Sequence, residues 1–232
     1  YQDMFFSFAN SGAGADFIKK YRSNPDKELD FRFNGQFSKS DQNNNSFQDN
    51  PSQDRFVSNQ SLSLNHEYTV QIDFAQPLKA KQKIEMGAKT ILRKASSDFE
   101  SLVKYNSNDE YAPNPFNSDQ FNYHQEVYST YGSYSFPIKK YSFRAGLRAE
   151  HTEVNGNFIT SKTEVKQSYT NLIPNLLVTK RFSPVYTLTL SYNMRLQRPY
   201  ITNLNPFINN NDSLNISYGN PSLGPQVLHA VS

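Results

Sequence analysis

The stretch Tyr186-Thr-Leu-Thr-Leu-Ser-Tyr-Asn-Met-Arg-Leu-Gln-Arg198 alternates between apolar and polar side chains. Every even position from 186 to 196 is apolar, and every odd position from 187 to 197 is polar. A period of two over this length predicts one β-strand with an apolar face and a polar face. The polar face carries an arginine, Arg195. Such a strand is typical of a protein whose sheet contacts lipid on one side and water on the other.

The same alternation recurs along the chain and indicates several further strands. It is clear over residues 29–37, 64–74, 83–89, 141–150 and 171–179, and it is noisier over 122–136. No segment shows helical periodicity, so we expect an all-β protein. About seven full strands and two partial ones are predicted, arranged as an antiparallel meander in part of a transmembrane β-barrel.

The predicted connections alternate between short and long. Short connections are expected at 76–81, 137–140 and 183–185, and long polar ones at 38–61, 95–121, 154–167 and 199–226. Outer-membrane barrels have short periplasmic turns and longer extracellular loops. A soluble sandwich has no reason to sort its loops in this way.

Two predicted turns fix strand registers that can be tested. Around Pro137, pairing Phe136 with Tyr141 would place Tyr134 opposite Phe143, and these aromatic side chains would form a girdle beside the turn. Around Pro184, the predicted register pairs Phe182 with Tyr186 and Val178 with Leu190. Both registers put the apolar side chains of neighbouring strands on one face.

Composition excludes several classes of protein. The formal net charge of +3, from 24 basic and 21 acidic residues, is too balanced to indicate nucleic-acid binding. The chain has no cysteine, which excludes disulfides and thiolate metal sites. It has no apolar run of about 18 residues, as a membrane helix would require. It also lacks a recognisable signal peptide, so we expect an internal fragment.

Candidate functional side chains are few, and their roles stay open at this point. Arg144, Arg148, Glu150 and Arg195 are predicted on the polar face, where they would either line a substrate path or form cross-strand charge pairs in a wet lumen. The predicted register also brings together two histidines and two glutamates, which would form a polar rim or hold a divalent metal: His124, Glu126, His151 and Glu153.

Motifs for catalysis or cofactor binding are absent from the sequence. There is no nucleophile elbow, no phosphate-binding glycine loop and no defensible pair of catalytic carboxylates. We therefore expect no enzyme activity, no cofactor and no resident metal.

The segment that follows the predicted strand at 186–197 resembles a known family. It contains an Arg-Pro pair, then Leu-Asn-Pro-Phe, then Gly-Asn-Pro-Ser-Leu-Gly-Pro. Together with Gly-Leu-Arg-Ala-Glu at 146–150 and Asn-Leu-Ile-Pro at 171–174, these motifs resemble the barrel portion of TonB-dependent receptors and related outer-membrane barrels. The motif residues are Arg198, Pro199, Leu204, Asn205, Pro206, Phe207, Gly219, Asn220 and Pro221. The prolines have a physical role as well, since they end strands and would stiffen an extracellular excursion.

The resemblance implies a barrel of about 22 strands around a plug domain, in the outer membrane of a Gram-negative bacterium. It implies uptake of a small solute, with outer-membrane lipid, the protein's own plug and the TonB complex as partners. No plug is recognisable, so residues 1–232 are expected to be a fragment of a single barrel domain. Two alternatives remain open at this point: an outer-membrane barrel without energised transport, serving adhesion or assembly, and a soluble all-β binding module.

Overall fold

The protein forms one large antiparallel sheet. The computed structural model describes residues 2–48, 54–208 and 216–232. Within them lie ten strands: Gln2–Tyr21 (β1), Asn24–Gln48 (β2), Arg55–Pro77 (β3), Lys83–Lys104 (β4), Ala112–Pro113 (β5), Asp119–Ile138 (β6), Tyr141–Phe158 (β7), Thr163–Arg181 (β8), Thr187–Gln197 (β9) and Gln226–Val231 (β10). A one-turn helix, Ile201–Leu204 (α1), and a 3-10 turn, Lys79–Lys81, complete the described elements.

Neighbours in sequence are neighbours in the sheet, apart from the two-residue β5, which pairs with β4 beside β6. This order confirms the predicted all-β meander. The strand count needs one correction, because β1 is a full strand of 20 residues. The first half of β1 has no sustained alternation of apolar and polar residues. This strand is therefore recognised from its pairing with β2 and not from its own sequence.

The strands are much longer than a membrane requires. A transmembrane β-strand needs about 9–11 residues, whereas β2 has 25 and β3 has 23. The predicted long loops at 38–61 and 154–167 are therefore mostly strand, and residues 49–53 of the first lie outside the described residues. No helix in the described parts of the chain is long and apolar enough to cross a membrane.

Four short turns lie together at one end of the sheet: residues 22–23, 78–82, 139–140 and 182–186, all between neighbouring antiparallel strands. A further short turn, residues 159–162 between β7 and β8, lies at the opposite end, where a long loop was predicted. Lys139 adopts a φ of 53°, the left-handed conformation that a two-residue hairpin turn requires. In outer-membrane barrels the short turns lie on the periplasmic side, so the resemblance implies that the end with these four turns faces the periplasm.

The predicted faces are confirmed on both tested hairpins, but one predicted register is wrong. The Pro184 hairpin pairs Val178 with Leu190 as expected. In the Pro137 hairpin, Phe136 lies opposite Phe143 instead of Tyr141. Both strands run on to a two-residue turn at 139–140, so every partner moves by two residues. A shift of two keeps each side chain on its original face.

Apolar, aromatic and small side chains on the outer face form a band about as high as the membrane is thick. On β6 and β7 it begins with stacked rings near the turn, where the ring centroids of Phe136 and Phe143 lie 5.3 Å apart. Farther from the turn, the outer-face side chains are small or apolar, and one of them is Leu147, which is 50% exposed. Charged side chains begin at the pair formed by Glu126 and Glu153. The distance from Phe136 to Glu126 is about ten residues, which matches one membrane crossing.

Candidate functional site, the polar inner face

The other face of the sheet is polar, and near the turn end it forms a recess of about 610 Å³. Its lining mixes acidic and basic side chains from β2, β3, β4 and β7 with uncharged polar side chains from β6 and β8. Glu85 binds two cations there: Lys83 Nζ lies 2.7 Å from Glu85 Oε1, and an Arg144 guanidinium nitrogen lies 2.7 Å from Glu85 Oε2. The first pair lies within β4, and the second joins β4 to β7 across β6. The recess is therefore a polar wall in which part of the charge is paired.

A tyrosine crosses the floor of this recess. Tyr131 on β6 lies opposite Gly87 on β4, which in turn lies opposite Asp73 on β3. The Tyr131 hydroxyl donates a hydrogen bond of 2.5 Å to Asp73 Oδ1, and Gln71 Nε2 donates one of 2.6 Å to Asp73 Oδ2. A Cβ atom at Gly87 would lie 2.7 Å from the Tyr131 ring and 2.6 Å from Asp73 Oδ1. Glycine is required there because the tyrosine passes directly over the strand.

Above the recess, a buried carboxylate joins two arginines. Glu150 is 2% exposed and accepts hydrogen bonds from Arg148, its neighbour on β7, and from Arg198, which follows β9. Arg198 also donates from Nε to the hydroxyl of Thr152 at 3.3 Å. A buried carboxylate is tolerated when it is paired and hydrogen-bonded in this way.

The predicted polar-face residues are thus only partly brought together. Arg144 and Arg148 line the recess, and Glu150 lies directly above it. Arg195 is an exposed residue of β9, in register with Leu228 of β10, and it makes no ion pair among the described residues. Whether these four side chains meet a solute stays a prediction.

Sequence reasoning missed another charged bridge on this face. Arg93 donates to Glu67 Oε2 from Nε at 2.8 Å and to Gln125 Oε1 at 2.7 Å, so it links β3, β4 and β6. Arg93 occupies an odd-numbered position of β4, as do the polar residues Lys83, Glu85 and Lys89. The apolar Ile91 interrupts this series, so the alternation does not reach Arg93.

The segment carrying the family motif folds back onto the inner face. Leu204 at the end of α1 is 1% exposed and packs with inner-face side chains of β6, β7 and β8. These partners are Tyr123, Val154, Phe158 and Val165. This refines the expected external excursion. Pro199 and Pro225 do follow β9 and precede β10, but of the described residues between them, Ile201 and Leu204 pack against the inner wall instead of projecting from it.

Polar contacts hold this returning segment in place. Asn205 Nδ2 donates to Asp119 Oδ2 at 2.5 Å, and the Asn205 carbonyl accepts a 2.7 Å hydrogen bond from the Gly219 amide. The Asn220 amide donates to the Asn203 carbonyl at 2.7 Å. The Leu-Asn-Pro and Gly-Asn-Pro motifs therefore bind each other, and Leu204 anchors them to the wall. We call the described parts of this segment, 198–208 and 216–225, the inner loop.

The ring of Tyr123 lies beneath the inner loop, on the part of β6 beyond Glu126 and so above the membrane band. Burial raises the pKa of its hydroxyl to about 12, although Arg93 and Arg198 nearby oppose the shift. Its oxygen accepts a 3.0 Å hydrogen bond from Gln125. The phenol is therefore neutral at physiological pH and serves as packing and a hydrogen-bond partner.

The predicted His/Glu cluster lies on the outer face at the upper edge of the band. Its cross-strand pairs differ from the prediction, because Glu126 faces Glu153 and His124 faces Asn155. His151 contacts Glu153 along its own strand, with 3.2 Å between Nε2 and Oε1. Across the described residues, no three His, Cys, Asp or Glu side chains are grouped so that they could hold a metal. The arrangement fits the polar rim better than the metal site.

A long antiparallel meander with an apolar outer face and a charged inner face defines the wall of a membrane β-barrel. The chain belongs to the outer membrane protein beta-barrel family, whose model matches residues 20–232. This membership and the fold place the protein in the outer membrane of a Gram-negative bacterium and exclude the soluble-module alternative. A search of the curated proteins found no match.

Solved structures show the same fold. The ferric citrate transporter FecA in its unliganded form superposes with a TM-score of 0.58 at 14% identity, over 82% of this chain and 28% of that one. The siderophore receptor PiuA from Acinetobacter baumannii gives a TM-score of 0.60 at 14% identity, over 84% of this chain and 33% of that one. The chain thus spans about a third or less of the length of these receptors, and at this identity the likeness concerns the fold alone.

Proposed function

We propose that this chain is a wall segment of an outer-membrane receptor that takes up a small solute. The observation that carries the proposal is the inner face, where ion pairs and hydrogen bonds from five strands form a continuous wet surface behind an apolar outer face. An adhesive barrel needs the outer face but has no need of a charged recess of this size. The family membership and the receptor-like fold support the same function.

Residues 1–232 belong, in this proposal, to a single barrel domain that further strands complete. The mixed charges of the recess suit contact with a polar partner inside the barrel, and we propose the protein's own plug domain as that partner. Energy would come from the TonB complex. Binding and transport, without catalysis, is the role that the mutually paired charges support.

Two experiments test this proposal on the full-length protein. Deletion strains are grown with ferric chelates, oligosaccharides or peptides as the limiting nutrient. Loss of growth on one nutrient in both the receptor deletion and the TonB deletion is the expected result. Loss only in the receptor deletion would indicate a barrel without energised transport, and no growth defect on any nutrient would contradict the uptake function.

The second experiment tests the wet surface directly. Single cysteines replace Ser133 on the inner face or Leu147 on the outer face of a cysteine-free protein, since this chain has none of its own. A membrane-impermeant thiol reagent should label the first and not the second in intact cells. Equal labelling of the two positions would contradict the assignment of the faces.

A further inference from the structure

The outer face carries aromatic rings from several strands at the turn end, and we call this group of rings the aromatic belt. Its members are Tyr21, Phe74, Tyr134, Phe136, Tyr141, Phe143 and Phe182. Within it, Tyr134 stacks on Phe136 at 5.2 Å between ring centroids, and Tyr141 on Phe143 at 6.1 Å. Aromatic belts of this kind lie at the level of the lipid headgroups.

Two lysines lie over the belt where β1 meets β2. Lys27 Nζ is 4.5 Å from the ring centroid of Tyr21 and 5.6 Å from that of Phe74. Lys19 Nζ is 5.3 Å from the same Tyr21 centroid. These distances are within the range of cation–π attraction, which holds the ammonium groups at the level of the rings.

The same arrangement occurs at the other side of the sheet. Lys180 Nζ on β8 lies 4.6 Å from the ring centroid of Phe182 and 5.1 Å from that of Tyr141. The two lysine groups lie on strands that are separated by β3, β4, β6 and β7, and they come from different stretches of the sequence. Both place an ammonium over two rings at the same end of the barrel wall.

All three lysines lie on the lipid side of the sheet. The register pairs Lys19 with Leu29 and Lys180 with Leu188, both members of the apolar outer series, and Lys27 precedes Leu29 by two residues on the same strand. Their ammonium groups therefore sit at the edge of the hydrocarbon, where the (CH₂)₄ stems contact apolar surface and the charges reach the headgroups.

These lysines differ from their inner-face neighbours in their charge partners. At the same end of the sheet, Lys20 pairs with Glu28 at 3.9 Å, and Lys83 pairs with Glu85 at 2.7 Å. Among the residues that the structure describes, the lysine ion pairs do not include Lys19, Lys27 or Lys180. The carboxylates at this end line the inner recess, on the far side of the sheet.

We infer that the Lys19–Lys27 pair and Lys180 bind the phosphate groups of anionic phospholipids in the periplasmic leaflet of the outer membrane. The aromatic rings set the depth of each ammonium, and the lipid supplies the negative charge that no ion pair of the described residues provides to these lysines. The wall is thereby held at one height in the membrane by charge as well as by its apolar band.

The test uses the full-length protein in nanodiscs of phosphatidylcholine and phosphatidylglycerol in equal amounts. Native mass spectrometry counts each lipid that stays bound to the wild type and to the triple variant K19Q/K27Q/K180Q. We expect the wild type to retain phosphatidylglycerol preferentially, and the preference to fall about fivefold for each lysine removed. Added salt should weaken the preference of the wild type.

A matched variant, K20Q/K83Q/K104Q, removes three charges elsewhere. Lys20 and Lys83 lie on the inner face, and Lys104 lies at the far end of β4, where its Nζ donates to the Ser107 carbonyl at 2.8 Å. It should bind lipid like the wild type. An equal loss in both variants, or no preference in the wild type, would overturn the inference. If the triple variant fails to assemble, K180Q and K180R are compared, and equal retention by these two would also overturn it.

Discussion

Replacing Leu204 with alanine should release the inner loop from the wall while the barrel strands stay folded. The side chain is 1% exposed and lies among Tyr123, Val154 and Phe158. Truncating a leucine in such a site costs about 2–5 kcal/mol, from lost apolar burial and from the cavity that remains. Since 1.4 kcal/mol is a factor of ten in an equilibrium constant, the population of the released loop should rise about 30-fold or more.

Hydrogen exchange measures this release at two amides. Gly219 and Asn220 donate their amide hydrogens to carbonyls on the other half of the inner loop, so both exchange only when the halves separate. Leu223→Ala is the matched control, because this leucine of the same loop is 39% exposed. Equal exchange in the Leu204 and Leu223 variants, or in the Leu204 variant and the wild type, would refute the anchoring role.

Three further predictions concern the faces and the inner loop. Leu190→Arg should impair membrane assembly, at about 2–4 kcal/mol for an arginine facing lipid, whereas Ser191→Arg should not, and heat-modifiable gel mobility would show the difference. Gly219→Ala should increase protease cleavage within the loop, since a Cβ there would lie 2.6 Å from two carbonyl oxygens, while Gly224→Ala has nothing within 4 Å and should have no effect. Glu150→Gln leaves two half-buried arginines without their buried carboxylate partner, so it should raise amide exchange in the inner loop more than a surface Glu→Gln change does.

The two faces of the strands were predictable because side chains alternate with a period of two. A register that is wrong by an even number of residues leaves every side chain on its correct face. The Pro137 hairpin illustrates this, since its predicted register was wrong by two residues and its faces were still right. The error came from treating Pro137 as the start of the turn. Beyond Ser135, β6 is paired on one side only, and a proline is tolerated in a strand with an open edge.

The inner loop was recognisable as a motif but not as a structure. Its contacts join Arg198 to Glu150 and Asn205 to Asp119, pairs that lie far apart in the chain. The order of residue types within one short segment does not predict such long-range contacts. Proline and glycine indicate where a strand ends, but they do not show whether the following segment projects outward or returns.

The sequence by itself determined that this protein is an all-β membrane wall, which side of the alternating strands meets lipid, and which family its motifs resemble. The alternation of residue types is enough for these conclusions, because successive side chains of a strand face lipid and water in turn. Apolar residues are found on the lipid side and polar residues on the water side. Only the tertiary structure decided that the strands extend far beyond the membrane, that the motif segment packs inward on Leu204, and that lysines lie over the aromatic belt. Those features depend on which strands become neighbours, and pairing brings together residues that no single stretch of sequence contains.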